Sequence, residues 1–117
     1  GTPYALGDLK GKLLFIEDVN EPPYRVDRML TQLRQSCDLS TVAGIALGIF
    51  DEGGATPAKT SQPLMDVFRD RLGDLGVPLV YGLSFGHIRD NLVLPYGIEA
   101  ELDADNATIT YLEPAVI

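Results

Sequence analysis

One histidine and one carboxylate of this chain stand where they could move protons, each just after a strand-like segment. His87, the only histidine, closes the phrase Gly82-Leu83-Ser84-Phe85-Gly86-His87, and Glu17 follows Leu13-Leu14-Phe15-Ile16. An imidazole titrates near neutrality and can serve as a general base. A carboxylate held at the end of a buried strand can orient such an imidazole. Ser84 shares the histidine's phrase, in a Gly-x-Ser-x-Gly frame, and would complete a self-contained hydrolase triad. In α/β hydrolases that frame works because the serine occupies a tight strand-to-helix turn, where the helix N-terminus helps to stabilise an oxyanion. Here the frame is followed by Ile88 to Pro95, which has no sustained helical period and soon meets a proline. The hydrolase order also places the histidine well downstream of the serine, whereas His87 is three residues away. Ser84 is therefore expected to be a loop residue. The bland alternatives for the other two are a solvated strand end for Glu17, beside Asp18 and Glu21, and a packed, hydrogen-bonded ring for His87.

The elements that must position these residues follow from hydrophobic spacing. Lys12 to Ile16 reads as a short buried strand that delivers Glu17. Asn20, Pro22 and Pro23 break it and start a helix, on which Val26, Met29, Leu30 and Leu33 fall at helical spacing up to about Cys37. Val42 to Phe50 reads as a second buried strand, ended by Asp51-Glu52-Gly53-Gly54, with a polar surface loop expected up to Thr60. Ser61 is the expected N-cap of a second helix that carries Leu64, Val67, Phe68, Leu72 and Leu75 on one face and closes at Gly73 or Gly76. Pro78 to Tyr81 is a third strand, leading into the histidine phrase at the strand end where open α/β sheets place ligands. Leu92 to Leu94, Ile98 to Leu102 and Thr108 to Leu112 read as three further short strands in a meander. The expectation is an α/β domain with mixed sheets and two main helices.

Composition narrows the class. The 117 residues fit one domain able to bury a core, residues 1–117. Seventeen acids against nine bases give a net charge of −8, and no base follows Arg89. Such a surface repels phosphate backbones, so neither nucleic acid nor an anionic membrane is an expected partner. No apolar run approaches a transmembrane span. One histidine and one cysteine make a poor ligand set for zinc, and no metal or cofactor is expected. Cys37 cannot form an internal disulfide, so a reduced, cytoplasmic setting is the default. It lacks a local basic cluster to activate it as a nucleophile. The chain begins at Gly1 rather than methionine and reads as a piece of something longer.

The phrases Gly11 to Val19, Tyr24 to Leu33, Val42 to Gly48, Gly82 to His87 and Asn91 to Gly97, in that order, resemble the C-terminal domain of the LD-carboxypeptidases. This serine peptidase family also includes the microcin C immunity proteins. The resemblance spans nearly the whole chain and implies a swivelling β/β/α fold. It also implies a Ser-Glu-His triad split between two domains, with Glu17 as the triad acid and His87 as the general base. The nucleophilic serine would belong to an N-terminal domain absent from this chain, which alone would be inactive. The implied reaction is cytoplasmic hydrolysis of the L,D bond to the terminal D-alanine of murein tetrapeptides during cell-wall recycling, by a homodimer. An immunity-type peptidase acting on a peptidyl nucleotide, or a non-catalytic binding domain of the same fold, are the alternatives. The chain departs from the family pattern at Ser84, where a proline is frequent. It departs again at Cys37, where a glycine commonly follows the first helix in a left-handed conformation.

Overall fold

The computed structural model describes residues 2–50 and 62–116. A strand β1 (Leu13–Ile16) leads to helix α1 (Pro23–Ser36), a 3-10 turn (Leu39–Thr41) and strand β2 (Gly44–Ile49). Helix α2 (Leu64–Leu72), strand β3 (Leu79–Gly86) and strands β4 (Ala100–Asp103) and β5 (Thr108–Tyr111) follow. The first three strands form a parallel sheet in the order β1-β2-β3, and β4 and β5 form a separate antiparallel hairpin. The fold is thus α/β with two helices and one sheet of each kind.

The alternating pleat of β2 explains the layering. Ile45 and Leu47 point to one face, are completely buried, and join Val26 and Leu30 of α1 and Val67, Phe68 and Leu72 of α2 in one apolar cluster. Burying each such side chain stabilises the fold by about 1.5–3 kcal/mol. The opposite face of β2 carries Gly44, Ala46 and Gly48. Small residues there let a third layer approach: a Cβ added at Gly44 would lie 2.7 Å from the side chain of Leu102 in β4. Phe15 and Phe85 meet edge to face on the same side, with ring centroids 5.6 Å apart. Two helices, a parallel sheet and a hairpin are stacked in that order.

Both helices begin at prolines, whose missing N–H groups would have no intrahelical partner there. Pro22 is the N-cap of α1 and Pro63 that of α2. The loop expected over residues 51–60 and the expected cap Ser61 lie outside the described residues. On α1, Val26 and Leu30 are buried as their spacing requires, but Met29 is exposed. Cys37 caps α1 in extended backbone, φ −150°, and its N–H donates to the Leu33 carbonyl. The left-handed glycine geometry is simply not used here, so the cysteine is accommodated.

Two strand expectations change. Strand β3 does not stop at Tyr81 but continues through the glycine-rich phrase to Gly86. Leu92 to Leu94 is not a strand: Val93 is 92% exposed, and the segment runs as coil. Its apolar side chains mimic a strand, but no neighbouring strand pairs with it. The meander therefore shrinks to the β4–β5 hairpin, whose turn is tied by the Asp103 carboxylate accepting from the N–H groups of Asp105 and Asn106 and from the Asn106 amide.

Candidate active site

Glu17 follows the last residue of β1 and His87 follows the last residue of β3, so both emerge at the C-terminal end of the parallel sheet. Their strands are not neighbours, because β2 runs between them. The side chains close the gap: His87 Nδ1 lies 2.8 Å from Glu17 Oε2. An ionised carboxylate can only accept, so in a neutral ring this contact assigns the proton to Nδ1 and leaves the Nε2 lone pair available to another partner. Glu17 is 30% exposed and His87 59% exposed, which shields the carboxylate more than the ring.

The path across β2 depends on missing side chains. From Leu47 to Ile49 the central strand advances two residues, while β3 advances five, from Tyr81 to Gly86. The excess is taken up as a bulge bracketed by Gly82 (φ +89°) and Gly86 (φ +120°), conformations that favour glycine. A Cβ at Gly86 would stand 2.9 Å from the Ile49 carbonyl and 3.1 Å from Glu17 Oε2. A Cβ at Gly48 would run into the Phe85 carbonyl and approach its ring to 2.7 Å. Glu17 reaches His87 over ground that glycines keep clear.

Ser84, expected in a loop, lies instead within the bulged stretch of β3. The two glycines of the Gly-x-Ser-x-Gly frame serve the irregular strand pairing, and no helix follows the frame, only a turn at 87–90. Ser84 is exposed, its carbonyl accepts from the Leu92 N–H at 2.8 Å, and among the described residues no hydrogen bond joins its hydroxyl to His87. Cys37 lies elsewhere, half-buried at the end of α1 with its thiol donating to the Leu33 carbonyl.

Around the pair is a cavity of about 420 Å³, bordered by Glu17, Phe85, His87, Asn91, Val93 and Tyr96. Tyr96 is largely exposed, with its ring 6.1 Å from that of Phe15. Asn91 accepts the Gly86 N–H on Oδ1 at 3.2 Å. Neither Asn91 nor Tyr96 carries a functional signal in its own residue type. Only their place in the coil that replaces the expected strand at 92–94 brings them to the site.

The chain matches the model of the LD-carboxypeptidase C-terminal domain over residues 1–102. It belongs to that family. A relative from Synechocystis sp. with a carboxypeptidase name is 52% identical over 105 residues, covering 90% of this chain and 35% of the relative. The muramoyltetrapeptide carboxypeptidase from Oxalobacter formigenes shares 34% identity and superposes with a TM-score of 0.71, over 87% of this chain and 35% of that one. The microcin C7 self-immunity protein of Escherichia coli is 28% identical over 116 residues. Its apo structure superposes with a TM-score of 0.75, over 94% of this chain and 32% of that one. This LD-carboxypeptidase domain thus spans about a third of the length of the relatives it matches.

Proposed function

We propose that this domain supplies Glu17 and His87 to a Ser-Glu-His triad in a cytoplasmic enzyme that releases the terminal D-alanine from murein tetrapeptides during cell-wall recycling. The observation that carries the reading is the 2.8 Å contact between His87 Nδ1 and Glu17 Oε2 at the C-terminal ends of two strands, beside a cavity. The nucleophilic serine belongs to an N-terminal domain outside this chain, and the 117 residues alone are inactive. The assembled enzyme is a homodimer.

The chemistry follows from the tautomer. With Nδ1–H held by Glu17, Nε2 takes the proton of the incoming serine hydroxyl as its oxygen attacks the scissile carbonyl. The carboxylate stabilises the imidazolium that forms. Nε2–H then protonates the amine of D-alanine as the C–N bond breaks, leaving an acyl-serine ester. A water molecule, deprotonated by Nε2 in turn, hydrolyses that ester and returns the serine. Donors for the oxyanion come from the domain that holds the serine.

The test uses the full-length protein and a murein tetrapeptide, with D-alanine release measured by chromatography. The His87→Ala variant is expected to lose activity, and equal release by both proteins would sink the assignment. A fluorophosphonate probe should label the full-length protein on a serine outside this chain, and labelling at Ser84 would point instead to a self-contained esterase. The likeness to the microcin C7 self-immunity protein across nearly the whole domain supports a second reading, hydrolysis of a peptidyl nucleotide. Parallel assays with the two substrate classes separate them.

A further inference from the structure

We infer that Asn91 is a positioning residue for His87, an inference that rests on His87 being the general base. Apart from the Glu17 contact and the pairing of Gly86 with Ile49 of β2, little holds the histidine. Strand β3 ends at Gly86, the next four residues form a turn, and the His87 side chain is more than half exposed. Gly86, though paired with Ile49, adopts φ +120°, where the absence of a Cβ makes its φ less restricted than that of any other residue. An exposed ring beyond so permissive a backbone joint can turn away from Glu17.

Two hydrogen bonds oppose that freedom. The Asn91 side-chain oxygen accepts the Gly86 N–H at 3.2 Å, and one residue on, the Leu92 N–H donates to the Ser84 carbonyl at 2.8 Å. Together they fold residues 84–92 back on themselves, with His87 inside the loop. The first bond fixes the Phe85–Gly86 peptide plane, directly before the flexible φ of Gly86. The direction in which His87 leaves the sheet is set from that plane. Because a backbone N–H can only donate, the group facing it must be the amide oxygen, which also fixes the orientation of the Asn91 amide. Glu17 is placed independently, from β1, so Asn91 governs the histidine's half of the pair alone.

The single histidine makes the idea testable without any substrate. In the 15N-labelled chain, long-range ring correlations at a pH where the imidazole is neutral should show a protonated Nδ1 and an unprotonated Nε2. Asn91→Ala is expected to move both resonances toward the averaged values of a free imidazole, with the amide spectrum of the sheet retained. Asn91→Asp, which keeps an acceptor oxygen in the same place, should restore the wild-type pattern. In the full-length enzyme, Asn91→Ala should lower kcat on the order of 10²-fold at unchanged KM, as a misplaced catalytic group does. An unchanged ring tautomer in folded Asn91→Ala would overturn the inference, as would global unfolding of that variant. A wild-type ring without the proton on Nδ1 would overturn the catalytic reading of the Glu17–His87 pair itself.

Discussion

Replacing Glu17 by Gln keeps the shape of the side chain and removes its charge, which separates packing from electrostatics at His87. A glutamine amide can donate to Nδ1 as well as accept from it, so it no longer enforces the tautomer that leaves Nε2 basic. On the proposed triad, Glu17→Gln in the full-length protein is expected to lower kcat by on the order of 10⁴-fold, the scale seen when a triad acid loses its charge. Ser84→Ala should leave D-alanine release unchanged, since its hydroxyl has no bond to the histidine. A different residue invites the opposite experiment. The Tyr111 hydroxyl is buried without a hydrogen-bond partner among the described residues, and burial holds the phenol above its ordinary pKa. Tyr111→Phe removes that unsatisfied group and is expected to stabilise the domain by about 1 kcal/mol in urea melts.

Among the elements, β2 governs both the core and the site. Leu47→Ala should cost about 2–5 kcal/mol, because the side chain is completely buried between the helices and the sheet. Gly48→Ala is a smaller change on the other face, but the new methyl group meets the Phe85 carbonyl and ring. It should destabilise by roughly 1–3 kcal/mol, and displaced ring resonances of His87 would show the strand shifting beneath the pair. The apolar runs of β1 and β2 and the apolar faces of α1 and α2 made these elements legible in the sequence. Strand β3 was legible only to Tyr81, because Gly82, Ser84 and Gly86 carry no apolar alternation and their pairing is a bulge. Leu92 to Leu94 misled for the converse reason: apolar residues at an exposed coil carry the composition of a strand without a partner strand. Glu17 and His87 could be named as a pair, but their contact could not be read from spacing. It depends on side chains crossing an intervening strand, which no local pattern encodes.

For the molecule as a whole, the acidic surface sets the response to pH. Asp38, Asp74 and Asp103 all have pKa values below the ordinary aspartate range, through hydrogen bonds from Ser40, Arg34 and Asn106 respectively. The unfolded chain therefore takes up protons before the folded one as the pH falls. The stability these groups contribute is complete above the ordinary aspartate pKa and is lost as the pH drops through their lowered values. Thermal melts should be insensitive to these groups near neutrality and decline in the acid limb, and Asn at all three positions should flatten that limb. Arg34 also bridges the helices, forking onto Asp74 and donating to the Arg71 carbonyl, so the same acid limb tests the α1–α2 contact. The order of the strands has one more consequence. Glu17 and His87 stand on the two outer strands of the sheet, and outer strands open by local fluctuation at lower free energy than the whole domain unfolds. Each such opening would part Glu17 from His87 while the core stays folded. The fraction of molecules in which the pair is assembled at any instant is therefore a property of strand breathing, and amide exchange along β1 and β3 would measure that breathing.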